Sequence, residues 1–153
     1  MIKLSEEISK FLHDQSFVIV STVCPDNSIH NACKGIINIE DHSRIYLFDL
    51  YRGKTFFNLT KNPNISLTVV DEHKFKGYCV KGKAKTADPN KFRPDFFKAW
   101  DQRIASRITK RLLKNIQENK GHSKHPEALL PKPEYVIIVD VEAVEDLTPH
   151  HLK

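Results

Sequence analysis

Apolar positions recur along this chain in two rhythms: helical spacing of three or four near the N-terminus and after residue 88, and short β-branched runs between. Ile8, Phe11 and Leu12 fall on one helical face, with Ser5 placed to cap that helix and Glu6 and Glu7 in its first turn. This helix is expected to lid one end of a sheet. Residues 17–23 (FVIVSTV) are nearly continuously apolar, the pattern of a strand buried on both faces, and Pro25, Asp26 and Asn27 then supply turn chemistry. The return strand, residues 28–39, carries the polar and small stretch HNACKG before Ile36 and Ile37. A strand interior loses packing at such residues unless a backbone or ligand comes close, so this stretch is predicted to be a ligand-facing wall.

Asp41, His42 and Ser43 turn the chain into a strand marked by Ile45, Leu47 and Phe48. The basic turn Tyr51-Arg52-Gly53-Lys54 leads to Thr55, which reads as the N-cap of a short helix over residues 56–61. Asn62-Pro63-Asn64 opens the next strand, residues 65–70, and His73 and Lys74 mark the following turn. In the fifth strand, residues 75–87, Lys81, Lys83 and Lys85 alternate, giving one solvated or anion-facing side. Asp88 and Pro89 start a helical turn. After Pro94, the residues Phe97, Trp100, Ile104, Ile108 and Leu112 predict an amphipathic helix with a basic back, reaching about residue 120. Residues 121–134, with Pro126, Pro131 and Pro133, form a loop, and YVIIVDV (135–141) is the final strand, continued irregularly over 143–147. Six strands, an early helix, a short crossover helix and one long late helix predict a mainly β fold with α: a small antiparallel β-barrel, one domain over residues 1–153.

The candidate chemistry lies in residues 44–70. Arg52 and Lys54, a Thr55 hydroxyl and the positive end of a helix converge where a phosphate of roughly −1.5 to −2 charges would be held. Gly53-Lys54-Thr55 also spells the end of a Walker A loop, but the glycine that loop needs five places earlier is Phe48, inside a strand. A nucleotide-triphosphate loop is therefore not expected.

Composition adds direction. The formal charge of +5 favours an anionic ligand, although most of the excess falls within residues 81–124. The N-terminus contains acids and no continuous apolar run, so neither a secretory signal nor a mitochondrial presequence fits, and no segment approaches the ~18 apolar residues that span a bilayer. Cys24, Cys33 and Cys79 are odd in number and show no C-x-x-C spacing, which argues against disulfides or a cysteine metal site. A reducing cytoplasm is the expected home.

Three segments resemble the FMN-binding split barrel of the pyridoxamine 5′-phosphate oxidase-like family: VSTVCPDNSIHNACKGIINI, LYRGKTFFNLTKNPNISLTVV and GYCVKGKAKT. They cover about residues 4–87, and YVIIVDVEAVEDL is a weaker fourth. The R-x-K-T followed by N-L-x-x-N-P is the most specific part. The resemblance implies a homodimer with FMN at the subunit interface. It assigns the phosphate to Arg52, Lys54 and Thr55, and the ribityl chain and isoalloxazine edge to Asn31, Ala32, Cys33 and Lys34. The flavin would carry the redox chemistry while the protein supplies position and field. After Val141 the chain ends EAVEDLTPHHLK, without the basic substrate-binding segment of the pyridoxamine phosphate oxidases, so the resemblance implies a cofactor rather than that vitamin phosphate as substrate.

Other constellations point to blander roles. His122 and His125 fall in the proline-containing loop and His150 and His151 in the tail, without a ligand spacing, so no metal is expected. Cys33 is expected to be a small buried cysteine rather than a redox centre, with Lys34 the nearby cation that favours the second reading. The polar face of residues 103–120 is dominated by Arg and Lys, but interleaved aromatics and a base-reading motif are missing, so a solvated face is expected over a nucleic-acid surface. The apolar edge at Phe97, Trp100 and Ile104 is a candidate for the dimer contact or for covering a partner's flavin. The chain is thus read as an FMN-dependent oxidoreductase with an unidentified small substrate and a nicotinamide as possible donor. The alternatives are a flavin- or phosphate-binding module without turnover and, more weakly, a basic nucleic-acid binder.

Overall fold

The computed structural model describes residues 1–92, 94–117 and 131–153. Ser5 accepts a hydrogen bond from the Ile8 N–H (3.2 Å) and starts helix α1 (Glu6–Asp14). The chain continues through β1 (Val18–Val23), β2 (Ile29–Glu40), β3 (Arg44–Asp49), α2 (Lys54–Lys61), β4 (Asn64–Asp71) and β5 (Lys76–Ala87). Helix α3 (Pro89–Phe92), the long helix α4 (Asp95–Gln117) and β6 (Tyr135–Asp146) follow, and a 3-10 turn (His150–Leu152) ends it. The expected end of the late helix at residues 118–120, and residues 121–130 with Pro126, His122 and His125, lie outside the described residues. No helix among the described residues is long and apolar enough to cross a membrane.

The six strands close into an antiparallel barrel in the order β1-β2-β3-β6-β5-β4. Alternation sends Val18 and Val20, Ile45 and Leu47, Leu67 and Val69, and Ile137 and Val139 into one interior cluster. Leu12 of α1 and Leu59 of α2 join that cluster, so each helix buries its apolar stripe against the barrel. Asp41 and His42 take positive φ (51° and 57°) in the β2–β3 turn, the region to which Asn, Asp and His are better suited than most residues.

The strands buried on both faces are β3 and β6, not β1. Along β1 burial alternates: Val18, Val20 and Thr22 are covered, whereas Phe17 (52 % exposed) and Ile19 (39 %) face outward. The difference is α4, which lays Phe96 against Tyr46 (ring centroids 4.8 Å) and places Phe97 and Trp100 beside Phe48. A second apolar cluster, with Ile37, Tyr46, Phe48, Val136 and Ile138, therefore forms outside the barrel wall. Phe96, one position before the expected stripe, is the fully buried anchor of α4, while Phe97, Trp100, Ile104, Ile108 and Leu112 are half-buried.

The expected irregular continuation after Val141 belongs to β6 itself. The pairing of β6 with β5 slips between Lys81 and Gly82, which skips Glu142 and keeps Ala143 and Val144 in register with Lys81 and Val80. Gly82 is needed there because a Cβ would stand 2.1 Å from the Asp140 carbonyl oxygen. The lysines of β5 point to solvent as their alternation predicts, with Lys81 paired to Glu145.

Gly82→Ala is expected to cost about 1–3 kcal/mol by overpacking, lowering the denaturant midpoint with the m-value unchanged. An unaltered midpoint in urea would show that the β5–β6 contact gives way freely.

Candidate functional site

Helix α2 begins at Gly53, whose backbone takes the cap position with no side-chain cap, and the first intrahelical bond runs from the Phe57 N–H to the Gly53 carbonyl (3.1 Å). The N–H groups of Lys54, Thr55 and Phe56 are left without intrahelical acceptors, at the positive end of the helix. Thr55 is not the N-cap that its sequence position suggests. It sits inside the first turn and is buried (2 % exposed), because the helix already starts at Gly53. A Cβ on Gly53 would meet nothing within 4 Å, so the space beside the helix start is open.

Arg52 and Lys54 flank this start and are both exposed. Arg52 is tied down: its N–H donates to Glu134 Oε2 (3.0 Å), its guanidinium to the Glu134 carbonyl (3.4 Å), and it lies over the Phe56 ring. Lys54 stands near the β1–β2 turn, where Asp26 is held below the usual carboxylate range by hydrogen bonds from Ser28, with a smaller contribution from the Lys54 charge. Asn58 moors the helix to β1 by donating to Thr22 Oγ1 (3.0 Å) in a buried contact.

The wall on β2 divides by alternation. Ala32 and Lys34 pair with Val20 and Val18 and share their barrel-facing side, whereas Asn31 and Cys33 face outward beside Ser21 and Ile19. Asn31 Oδ1 accepts from the Ser21 hydroxyl (2.6 Å). Cys33 is exposed, not buried as expected, because α4 packs on β2 farther along, at Ile37, and leaves the outward face at Cys33 open to a groove. Lys34 turns in to Asp49, with Nζ 2.6 Å from Oδ1. That oxygen also accepts the Leu50 N–H (2.9 Å), and Oδ2 accepts the Tyr135 hydroxyl (2.5 Å). Burial first, and then the hydrogen bond to the Asp49 carboxylate, push the Tyr135 hydroxyl far above the ordinary tyrosine range.

A groove of about 450 Å³ opens between this wall and α4. Phe17, Phe48, Trp100 and Ile104 give it apolar sides, and Lys34, Arg103, Arg107 and Arg111 give it positive charge. Arg103 is half-buried, and burial first, then Arg107, lower its pKa. Its guanidinium donates to the carbonyls of Gln15 and His13 at the end of α1, where a cation also suits the helix dipole. The structure thus brings Cys33 and Lys34 to the groove together with Leu50 and Tyr51. Asn31 and Ala32 lie outside its lining, and Arg52, Lys54 and Thr55 follow Tyr51 directly as a separate cradle.

The family model described as pyridoxamine 5′-phosphate oxidase matches residues 4–146. The chain belongs to the pyridoxamine 5′-phosphate oxidase family. The match takes in α4, which none of the segments carrying the resemblance in sequence includes, as well as β6, the weaker fourth of them. A search of curated proteins finds no match. Among solved structures, HupZ of Group A Streptococcus is similar, at 18 % identity and TM-score 0.63, covering 95 % of this chain and 94 % of that one. General stress protein 26 of Bacillus anthracis is similar at 18 % identity and TM-score 0.58, with 95 % and 94 % coverage. An F420 reductase is similar at 15 % identity and TM-score 0.54, with 93 % and 98 % coverage. At these identities the likeness is one of fold.

Asp49, Glu134, Tyr135 and Arg103 escaped the sequence reading. A lone acid closing an apolar strand marks Asp49, but its partners stand 15 and 86 positions away, beyond any local pattern.

The Tyr135 shift makes an alkaline prediction. Its folded pKa is raised, so its contribution is fully present below the unfolded tyrosine value and is lost as pH climbs from there toward the folded value. Wild-type stability is expected to fall above about pH 10 by up to ~1.4 kcal/mol per pH unit from this group, and Tyr135→Phe to lack that component. Parallel urea melts of the two proteins across pH 9–11 measure it; identical slopes would place the hydroxyl in solvent.

Proposed function

We propose that this chain is an FMN-binding flavoprotein and an oxidoreductase acting on a small molecule, working as a homodimer with FMN at the subunit interface. The observation that carries the reading is the start of α2, which has no side-chain cap and three N–H groups without an acceptor among the described residues, with open space beside Gly53, flanked by Arg52 and Lys54 and joined through Tyr51 to an apolar groove. This donor set fits a phosphate monoester: backbone N–H groups at a helix start and two cations, with no carboxylate cap competing for the position. Arg52 and Lys54 would hold the phosphate, together with the Thr55 backbone N–H, a role that the burial of the Thr55 side chain leaves to its backbone.

The aromatic part of the ligand would lie in the groove against Cys33 and Lys34, with Asn31 and Ala32 farther along β2. FMN, when bound, supplies the electron and hydride transfer that no side chain here can perform. Trp100 and Phe48 exclude water from the groove, and the Lys34 ammonium, held on Asp49, places a positive charge beside its wall. Outward-facing Phe17, Ile19 and Ile29 support a dimer, since they leave apolar surface beside the groove for a second copy to cover.

A yellow purified protein that bleaches with a nicotinamide donor supports the oxidoreductase. Colour without bleaching favours a binding module with no turnover. For the cradle, Lys54→Ala removes a charge-assisted contact of about 1.5–3 kcal/mol, so FMN affinity is expected to fall roughly 10- to 150-fold. Riboflavin, which lacks the phosphate, is expected to bind both proteins alike. Titrating the two flavins into wild type and variant at equal salt decides it: equal FMN affinities would make Arg52-Gly53-Lys54 an ordinary basic turn.

A further inference from the structure

Lys34 is held from behind. Its side chain is 14 % exposed and that of Asp49 6 %, so the pair is largely withdrawn from water while both residues still border the groove. Asp49 receives three donors: the Lys34 ammonium, the Leu50 N–H and the Tyr135 hydroxyl. Rotating the carboxylate breaks two or more of these bonds, and Tyr135 is itself fixed edge-on against Phe56 (5.0 Å between centroids). Replacing a buried ion pair with apolar residues of similar volume is often neutral or stabilising. Stability alone therefore gives no reason for this pair at the groove wall.

We propose that Lys34 is a fixed positive charge that sets the electron affinity of the flavin in the groove, with Asp49 as its positioning residue. The inference rests on the FMN reading above and deepens it. Two electrons and one proton convert the neutral oxidised ring to the anionic reduced one. A cation at the wall favours the product of that change, and a carboxylate behind it opposes it. The Tyr135 hydrogen bond withdraws charge from Asp49 and so acts with Lys34. Opposite signs are thereby built into two touching residues.

The test measures the potential of FMN bound to the intact protein, reducing it with dithionite against a reference dye. Lys34→Gln keeps an N–H donor for Asp49 and removes the charge. Binding of reduced relative to oxidised FMN is expected to fall about tenfold, a shift of about −30 mV for the two-electron couple. Asp49→Asn keeps an acceptor for Lys34 and removes the opposing charge, so the potential is expected to rise. Lys34→Arg is expected to stay near wild type. If a substitution at either position prevents folding, Tyr135→Phe supplies the readout: Asp49 loses a donor, and the potential is expected to drop with Lys34 still in place. A structural role alone moves Lys34→Gln and Asp49→Asn together or moves neither, and either result overturns the proposal. Wild type that binds no FMN overturns both readings; bound FMN with a potential unchanged in all variants overturns this one alone.

Discussion

The last rung of the β3–β6 ladder, Asp49 opposite Tyr135, joins barrel closure to the site. The backbone pairing continues one step further, from the Glu134 N–H to the Asp49 carbonyl, while the side chains bond across the rung. Because β3 is buried on both faces, neither residue can be moved without disturbing the interior cluster or the layer under α4. The turn at Arg52 leaves the barrel from this fixed point, and Glu134 holds it by both its N–H and its guanidinium. The start of α2 is therefore held in place by strand pairing rather than by its own short helix, which at eight residues would be marginal alone.

Charge is distributed in the same spirit. Several cations are matched by the fold itself: Arg44 by Asp140, Lys34 by Asp49, and Arg103 by the carbonyl end of α1. Exposed pairs such as Lys81 with Glu145 add little to stability. What distinguishes Lys54 is its place rather than its sign, beside a helix start whose N–H groups have no acceptor among the described residues.

The rhythm of apolar residues determined the element order, the Ser5 cap and the basic turn after the third strand, because each depends on neighbours within a few positions. The R-x-K-T and N-L-x-x-N-P spacing likewise sufficed to suggest the family. Local reading failed where two rules competed for one position. Thr55 is a good cap residue, but the helix starts two residues earlier, at Gly53, and the threonine is buried inside its first turn.

Tertiary structure alone decided which apolar strands are covered twice, since that depends on where α4 comes to rest: FVIVSTV and RIYLFD look alike in sequence, yet Phe96 reaches only the second. It also decided that Cys33 faces outward and that Lys34 turns in to an acid, because strand alternation separates consecutive residues onto opposite faces. Asp49, Glu134 and Tyr135 meet across a ladder whose strands are separated by the whole length of β4, β5 and α4. A sequence specifies short-range preference directly; the partners of a buried charge are fixed only when the barrel closes and brings distant strand ends to the same rung.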